Sequence, residues 1–271
     1  KVLLGWIAPR GIVAAATGGI FGPALVGAGH PDAHKLLPAT FLVILATVLA
    51  HGLTLGPLGR RLGLAARSRS GLLIVGASPW SCELALALKR TGVEVLLVDG
   101  GYERLKAARL LGIDIHCGEI LSERAAETLE VQHLSHLLCA TDNDFYNALV
   151  CNALGHRAGH HRSFQLPTGH DAEQEVKQLT LQRRGYFAFH ASATHPALQR
   201  WLDAGWRVQA TRLSPTFGWA EFSERLGQQG RHWSLLGGIS PSEVLHIKSS
   251  EQAFRVEKGW TVLYFAAPAH R

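Results

Sequence analysis

From Leu36 to Leu58 the chain reads LLPATFLVILATVLAHGLTLGPL, without one charged side chain. A helix rises about 1.5 Å per residue, so a run of this length and character can cross a bilayer. A second run, Val2 to Phe21 (VLLGWIAPRGIVAAATGGIF), is also long enough and carries a single charge, Arg10. The stretch between them, Gly22 to Lys35, is short and rich in Gly and Pro. Over residues 1–58 the only charged side chains are Lys1, Arg10, Asp32 and Lys35, and nearly all the remaining charge lies after Arg60. The gradient predicts a membrane segment over residues 1–58 with transmembrane helices at 2–21 and 36–58. A basic linker, 59–70, then holds Arg60, Arg61, Arg67 and Arg69. The inter-helix loop is poor in basic residues and the linker rich in them, so the loop is expected outside and everything after Arg60 in the cytoplasm.

The net charge is +6. Because the arginines are dispersed and cluster most clearly beside a membrane run, the excess reads as topology, and no nucleic-acid partner is expected. Cys82, Cys117, Cys139 and Cys151 form no CxxC pair and read as buried reduced thiols of a cytosolic domain. The chain contains no Met and starts with Lys1 inside an apolar run, which is expected of a piece of a longer protein.

Arg10 is the informative residue of the membrane part. A guanidinium within an apolar helix is costly unless it is paired or faces water. Pro9 before it and Gly11 after it loosen the helix there. The segment Gly5-Trp6-Ile7-Ala8-Pro9-Arg10-Gly11-Ile12-Val13-Ala14 resembles the G-W-x-x-P-R-G-[IL]-x-[AS] stretch in the penultimate membrane helix of NhaP-type cation:proton antiporters. His51-Gly52-Leu53-Thr54-Leu55-Gly56-Pro57-Leu58, followed by Arg60-Arg61-Leu62-Gly63-Leu64, resembles that family's last helix, with His51 where Gln is common. The resemblance implies exchange of Na+ or K+ for H+ across a bacterial inner membrane. It implies a buried ion pair at Arg10 that holds the transport core together, with Pro9 and Gly11 as its structural neighbours. The ion-binding carboxylates would belong to earlier helices.

From Gly71 the character changes. Leu72–Val75 is a buried-type strand, Pro79–Thr91 a helix, Glu94–Val98 a second strand ending at Asp99. Helix 103–111, strand 113–116, helix 122–129, strand 136–140 and helix 145–155 follow. Such alternation with short connections predicts an α/β Rossmann-like parallel sheet over residues 71–200. In that fold the first βα turn meets a dinucleotide's phosphates, and the acid ending the second strand meets the ribose. Gly76, Ser78, Asp99 and Thr141 are the candidate nucleotide-binding residues. The turn Gly76-Ala77-Ser78-Pro79-Trp80-Ser81 keeps only the first glycine of G-x-G-x-x-G. Ser78 can still cap the helix with Pro79 at its first position. However, Ser78 puts a side chain where a pyrophosphate would approach, and Trp80 is bulky.

The order Gly71–Ser78, Val95–Asp99, Ala107–Gly112 with Gly118-Glu119, and Ala140-Thr141-Asp142-Asn143-Asp144 with Asn147 resembles TrkA-N (RCK) domains, which regulate potassium channels and transporters. That resemblance implies an adenine nucleotide such as NAD(H) as regulatory ligand, and a homodimer. Residues 201–271 are expected to form a small α+β C-terminal lobe, with strands at Val208–Leu213 and Val262–Ala266 and a helix at Trp219–Leu226. His156, His160, His161 and His170 read as a solvated basic loop, because Gly155 and Gly159 interrupt the helix and no Cys or acid completes a ligand set. No Ser-His-Asp, paired-carboxylate or P-loop constellation is visible, and no enzyme is expected. The fold class is therefore mixed: two transmembrane helices, a Rossmann-like domain and a small lobe. The function expected is the C-terminal part of an antiporter with a cytoplasmic regulatory domain. The alternative is an RCK-type gating component of a potassium channel or uptake system, which Pro9-Arg10-Gly11 and the lack of a TVGYG-like filter disfavour. A membrane-anchored NAD(P)-dependent oxidoreductase ranks last because its glycine turn is broken.

Overall fold

The structure, a computed structural model, describes residues 12–61, 71–128, 134–167, 179–228 and 230–268. Pro9, Arg10 and Gly11, most of the basic linker and His170 lie outside the described residues. The chain divides into two units, Lys1–Arg67 and Ser68–Arg271.

The first unit is a helical hairpin: α1 (Ile12–Gly27), a 3-10 turn (Pro31–Lys35) and α2 (Leu36–Arg61). The stretch expected to be a loop from Gly22 is thus helical as far as Gly27. The apolar Ala24-Leu25-Val26 continue the helix past Pro23 to Gly27, and Gly29, with φ +91°, lies just beyond its end. There His30 N donates to Leu25 O (3.0 Å) and Gly29 N to Val26 O (3.1 Å), the paired bonds of a Schellman terminus. The helices meet through small residues. A Cβ on Gly18 would come within 3.1 Å of Thr40 Oγ1, and one on Gly22 within 3.5 Å of Ala33 O. Ala14, Gly18 and Gly22 recur every four residues, the spacing that lets helices approach closely. Thr17, Thr40 and Thr54 each donate to a carbonyl one turn earlier, which satisfies their hydroxyls inside an apolar helix. The outer faces are apolar and open, with Ile20 and Leu42 70% exposed and Leu53 74%. Within the helical stretch Pro31–Leu58 an 18-residue window reaches a mean hydropathy of 2.1, and the helix is long and apolar enough to cross a membrane by length and composition.

The second unit holds two sheets. The larger is parallel: β1 (Gly71–Val75), β2 (Val95–Asp99), β3 (Asp114–Cys117), β4 (Leu134–Cys139), β5 (Ser163–Gln165) and β6 (Tyr186–Phe187), in the order 3-2-1-4-5-6. This is the doubly wound Rossmann order. Helices α3 (Pro79–Arg90), α4 (Tyr102–Leu110), α5 (Glu123–Thr128) and α6 (Asp144–Ala158) link its strands. All five residues of β1 are buried, as expected of a strand covered on both faces. Its side chains alternate: Leu72 and Ile74 join α3 and α4 in one core, Leu73 and Val75 join α6 in another.

The smaller sheet is antiparallel, β7 (Arg207–Arg212), β8 (Trp233–Ile239), β9 (Leu245–Ile247) and β10 (Thr261–Ala266), in the order 7-10-8-9. Val208, Leu236, Leu263 and Phe265 face the core shared with α3 and with α7 (His195–Asp203). The opposite face is covered by α8 (Trp219–Gln228) through Phe222 and Leu226. The lobe is therefore packed into the Rossmann half along one side. Arg184, 9% exposed, forks onto Glu251 with 2.9 and 2.5 Å bonds, and Phe187 N donates to the same carboxylate at 2.8 Å. Thus the lobe covers the β6 edge that would otherwise be open to pairing.

Candidate functional site

The chain crosses from one half of the parallel sheet to the other between β1 and β4, and ligands of such sheets bind at the carboxyl ends there. Gly76 follows β1 with φ +110°. A Cβ at that position would lie 2.8 Å from Thr141 N and 2.9 Å from Ala140 C, so only glycine lets the turn lie against the end of β4. The structure brings Gly76, Ser78, Asp99 and Thr141 together at this point.

What they do there differs from a phosphate cradle. Ala77 N donates to Asp99 Oδ2 (2.9 Å). Ser78 N donates to Ser81 Oγ (2.8 Å), Ser81 N donates back to Ser78 Oγ (3.3 Å), and Ser81 Oγ also donates to Gly76 O (2.9 Å). Pro79 has no N–H. A helix start binds anions through open N–H groups. Here the protein's own acceptors take those of Ala77, Ser78 and Ser81. Trp80, expected to crowd the site, turns inward instead: it is 2% exposed and meets Phe189 edge-on at 6.2 Å. Its position in the first turn of α3 sets that direction.

Asp99 is buried and multiply held. Its Oδ1 accepts from Gly101 N (2.7 Å), Arg104 Nε (2.8 Å) and Arg104 Nη2 (2.6 Å). Burial alone would raise its pKa. The hydrogen bond from Arg104, the N–H groups of Gly101 and Ala77, and the charge of Arg104 together hold it below the usual carboxylate value. Arg104 stays 65% exposed at the rim. Thr141 is equally committed. Its N–H and hydroxyl donate to Asn147 Oδ1 (3.1 and 2.6 Å), and Asn147 Nδ2 donates to Thr141 O (3.0 Å). Asn147 is fully buried. Asn143 caps α6 by accepting from Tyr146 N (3.0 Å). The Tyr146 hydroxyl donates to Glu119 (2.5 Å), and burial followed by that carboxylate pushes its pKa well up.

Sequence reasoning missed Arg104, whose part depends on a rotamer, and the Asn147 clasp. The five-residue step from Asp99 to Arg104 was the available signal for the first. Asp99 Oδ2, which accepts from Ala77 N, keeps a second lone pair, and Arg104 flanks the carboxylate. The N–H groups of Ala77, Ser78 and Ser81, which would face a dinucleotide's diphosphate, are taken by acceptors of the protein itself.

Two further expectations need correcting. Cys117 is exposed rather than buried, while Cys139 and Cys151 lie 3.4 Å apart in the core. Gly155 does not break α6, which runs on through His156; Gly159, with φ +88°, ends it. Among the described residues no group of three His, Cys, Asp or Glu side chains is placed to hold a metal ion.

Residues 72–165, from β1 to the end of β5, match the TrkA-N domain family; the chain carries a TrkA-N domain. The NAD-bound GsuK channel is similar to 73% of this chain at 18% identity with a TM-score of 0.37, and the GsuK RCK domain to 73% at 15% identity with a TM-score of 0.37. The chain spans 36% and 44% of those two proteins. The NAD(P)-binding domain of an exopolyphosphatase-related protein from Archaeoglobus fulgidus is similar over 40% of this chain and 80% of its own, at 18% identity with a TM-score of 0.34. Similarities of this size establish nothing about the ligands of this chain. No curated protein matches it.

Proposed function

We propose that the chain is the C-terminal part of a monovalent cation:proton antiporter in a bacterial inner membrane, with its TrkA-N domain as a cytoplasmic regulatory unit. The observation that carries the reading is the succession, in one chain, of an openly apolar helix hairpin and a TrkA-N domain. The Pro9-Arg10-Gly11 resemblance supplies the antiporter half of the proposal. Na+ or K+ and H+ are the proposed transported ions, lipid covers the hairpin's outer faces, and the regulatory units pair as a homodimer. No catalytic role is proposed.

The regulatory ligand is proposed to be an adenine nucleotide held at its nucleoside end by Asp99 and Arg104. The first turn favours a member of that class without a diphosphate, since the diphosphate of NAD(H), like that of ADP, meets no open donor at Ala77, Ser78 or Ser81. AMP should raise the thermal midpoint of the wild type and not of Asp99→Asn; equal shifts in both would refute the assignment.

A gating component of a potassium channel or uptake system is supported by the same TrkA-N domain. Everted vesicles bearing the complete transporter separate the readings. Recovery of an acid-quenched dye on adding Na+ or K+ is the expected result. An inserted protein that gives no recovery but conducts K+ in response to nucleotide would replace the antiporter reading with the gating one.

A further inference from the structure

We propose that the C-terminal lobe contains a second ligand site, for a compact organic anion with a flat apolar body. A cavity of about 280 Å³ lies between α8 and the β7–β10 side of the small sheet, lined by Thr211, Phe217, Phe222, Arg225, Leu226, Arg231 and Tyr264. Local sequence builds it. Phe222 and Leu226 are four apart on α8 and turn into the core. Arg225, one step round the helix, stands at the mouth. Gly230, with φ +61°, returns the chain so that Arg231 faces the same space.

The chemistry of the lining is one-sided. Among the described residues two guanidiniums border the cavity and no carboxylate does. Arg231 is anchored by Nε and Nη2 to Ala267 O (2.8 and 2.6 Å), which fixes its plane, and among the described residues Nη1 has no hydrogen-bond partner. Arg225 lies 5.9 Å from the centroid of the Phe217 ring, and among the described residues it forms no hydrogen bond or ion pair. The hydroxyls are satisfied internally, Thr211 with Tyr264 (3.2 Å) and Tyr264 with Gln209 (3.0 Å). The open polar capacity is therefore cationic. Guanidinium pairs in that state suit a carboxylate or phosphate, which they bind through parallel N–H bonds. Phe217, Phe222 and Leu226 offer the surface for an apolar body. The volume is at the small end of ligand pockets, which run roughly 300–1,000 Å³, so a one-ring anion fits and a dinucleotide does not.

The test is calorimetric titration of the whole chain in detergent micelles with phenyl phosphate, inorganic phosphate and benzyl alcohol. Phenyl phosphate should bind more tightly than inorganic phosphate, and benzyl alcohol should give no heat. Arg225→Gln should weaken phenyl phosphate roughly tenfold, the size of one charge-assisted hydrogen bond. Arg90→Gln, which removes a charge at the far end of α3, should leave it unchanged. Arg231→Gln should also weaken binding, but it loosens Ala267 as well; Arg225, with no hydrogen bond or ion pair among the described residues, is the decisive position. Absence of phenyl phosphate binding at millimolar concentration, or binding indifferent to Arg225→Gln, overturns the proposal. Equal affinity for inorganic and phenyl phosphate overturns the apolar part of it.

Discussion

Asn147→Ala should be among the most damaging single changes in the TrkA-N domain. Asn147 is fully buried and clasps Thr141 on both sides, accepting from its N–H at 3.1 Å and donating to its C=O at 3.0 Å. Truncation leaves both main-chain groups without a partner. An unpaired buried polar group costs roughly 1–3 kcal/mol; two give about 3.5 kcal/mol, a little under the middle of the summed range because Thr141 is only partly buried. The Thr141 hydroxyl can still turn to Asn143 O, 3.3 Å away, and is left out of the sum. Alanine is the better helix former by about 0.5 kcal/mol, which leaves a net loss of about 3 kcal/mol. In a unit of this size each kcal/mol moves the midpoint by about 2–4 °C, so Tm should fall by about 6–12 °C. The assay is thermal unfolding of the whole chain in micelles, followed by near-ultraviolet circular dichroism. Asn152→Ala, on the exposed side of the same helix, gains the same helix propensity and is the reference. A difference between the two variants under about 1 kcal/mol would falsify the reasoning, since it would mean water replaces the clasp.

Gly76→Ala should cost about 3 kcal/mol, from the strained φ of +110° and a Cβ 2.8 Å from Thr141 N; a folded variant with unchanged Tm would show that the turn can move aside. Glu251→Ala should cost about 3 kcal/mol, because the nearly buried Arg184 then loses its forked partner; Arg184→Met in the same background should recover part of the loss, and the idea fails if it does not. Stability should also depend on pH through His136, whose burial, followed by the nearby Arg162, His246 and His161, holds its pKa down at about 3. The unfolded chain takes up a proton below about pH 6.5 and the folded chain does not, so stability is complete above that value and falls as pH drops towards 3. The deficit is about 2 kcal/mol at pH 5. His136→Gln should flatten the denaturation midpoint between pH 6.5 and 5, and an unchanged slope would assign the effect elsewhere.

Strands β1, β2 and β4 were legible because each is a compact, largely apolar run, and burial on both faces demands just that pattern, whereas β5, three residues long and two of them polar, was not anticipated. The edges of helices were less legible: the Gly- and Pro-rich stretch from Gly22 read as a connection, yet the apolar residues after Pro23 carry α1 on to Gly27. Strand β8 was not legible at all, since Trp233–Ile239 contains Gly237 and Gly238 where a strand usually has β-branched residues. The structure gives the reason at Gly237, where a Cβ would collide with His246 O as β9 passes. The glycines mark close approach between strands, a relation that exists only once β9 is in place.

The same limit governs the candidate site. Counting glycines in Gly76–Ser81 says that a nucleotide turn has decayed. Counting hydrogen bonds gives a different account, because Asp99, Ser78 and Ser81 supply acceptors to the N–H groups of Ala77, Ser81 and Ser78 respectively. Mere loss of glycines would leave those donors open to water and to any passing anion. Here the residues that stand in place of the glycines close the donors, and Arg104 locks the carboxylate that closes the first of them. A ligand competing for Ala77 N–H must therefore displace an ion pair as well as water. The turn is built to be stable without a phosphate, and the strength of the Asp99–Arg104 contact sets how hard it is to open.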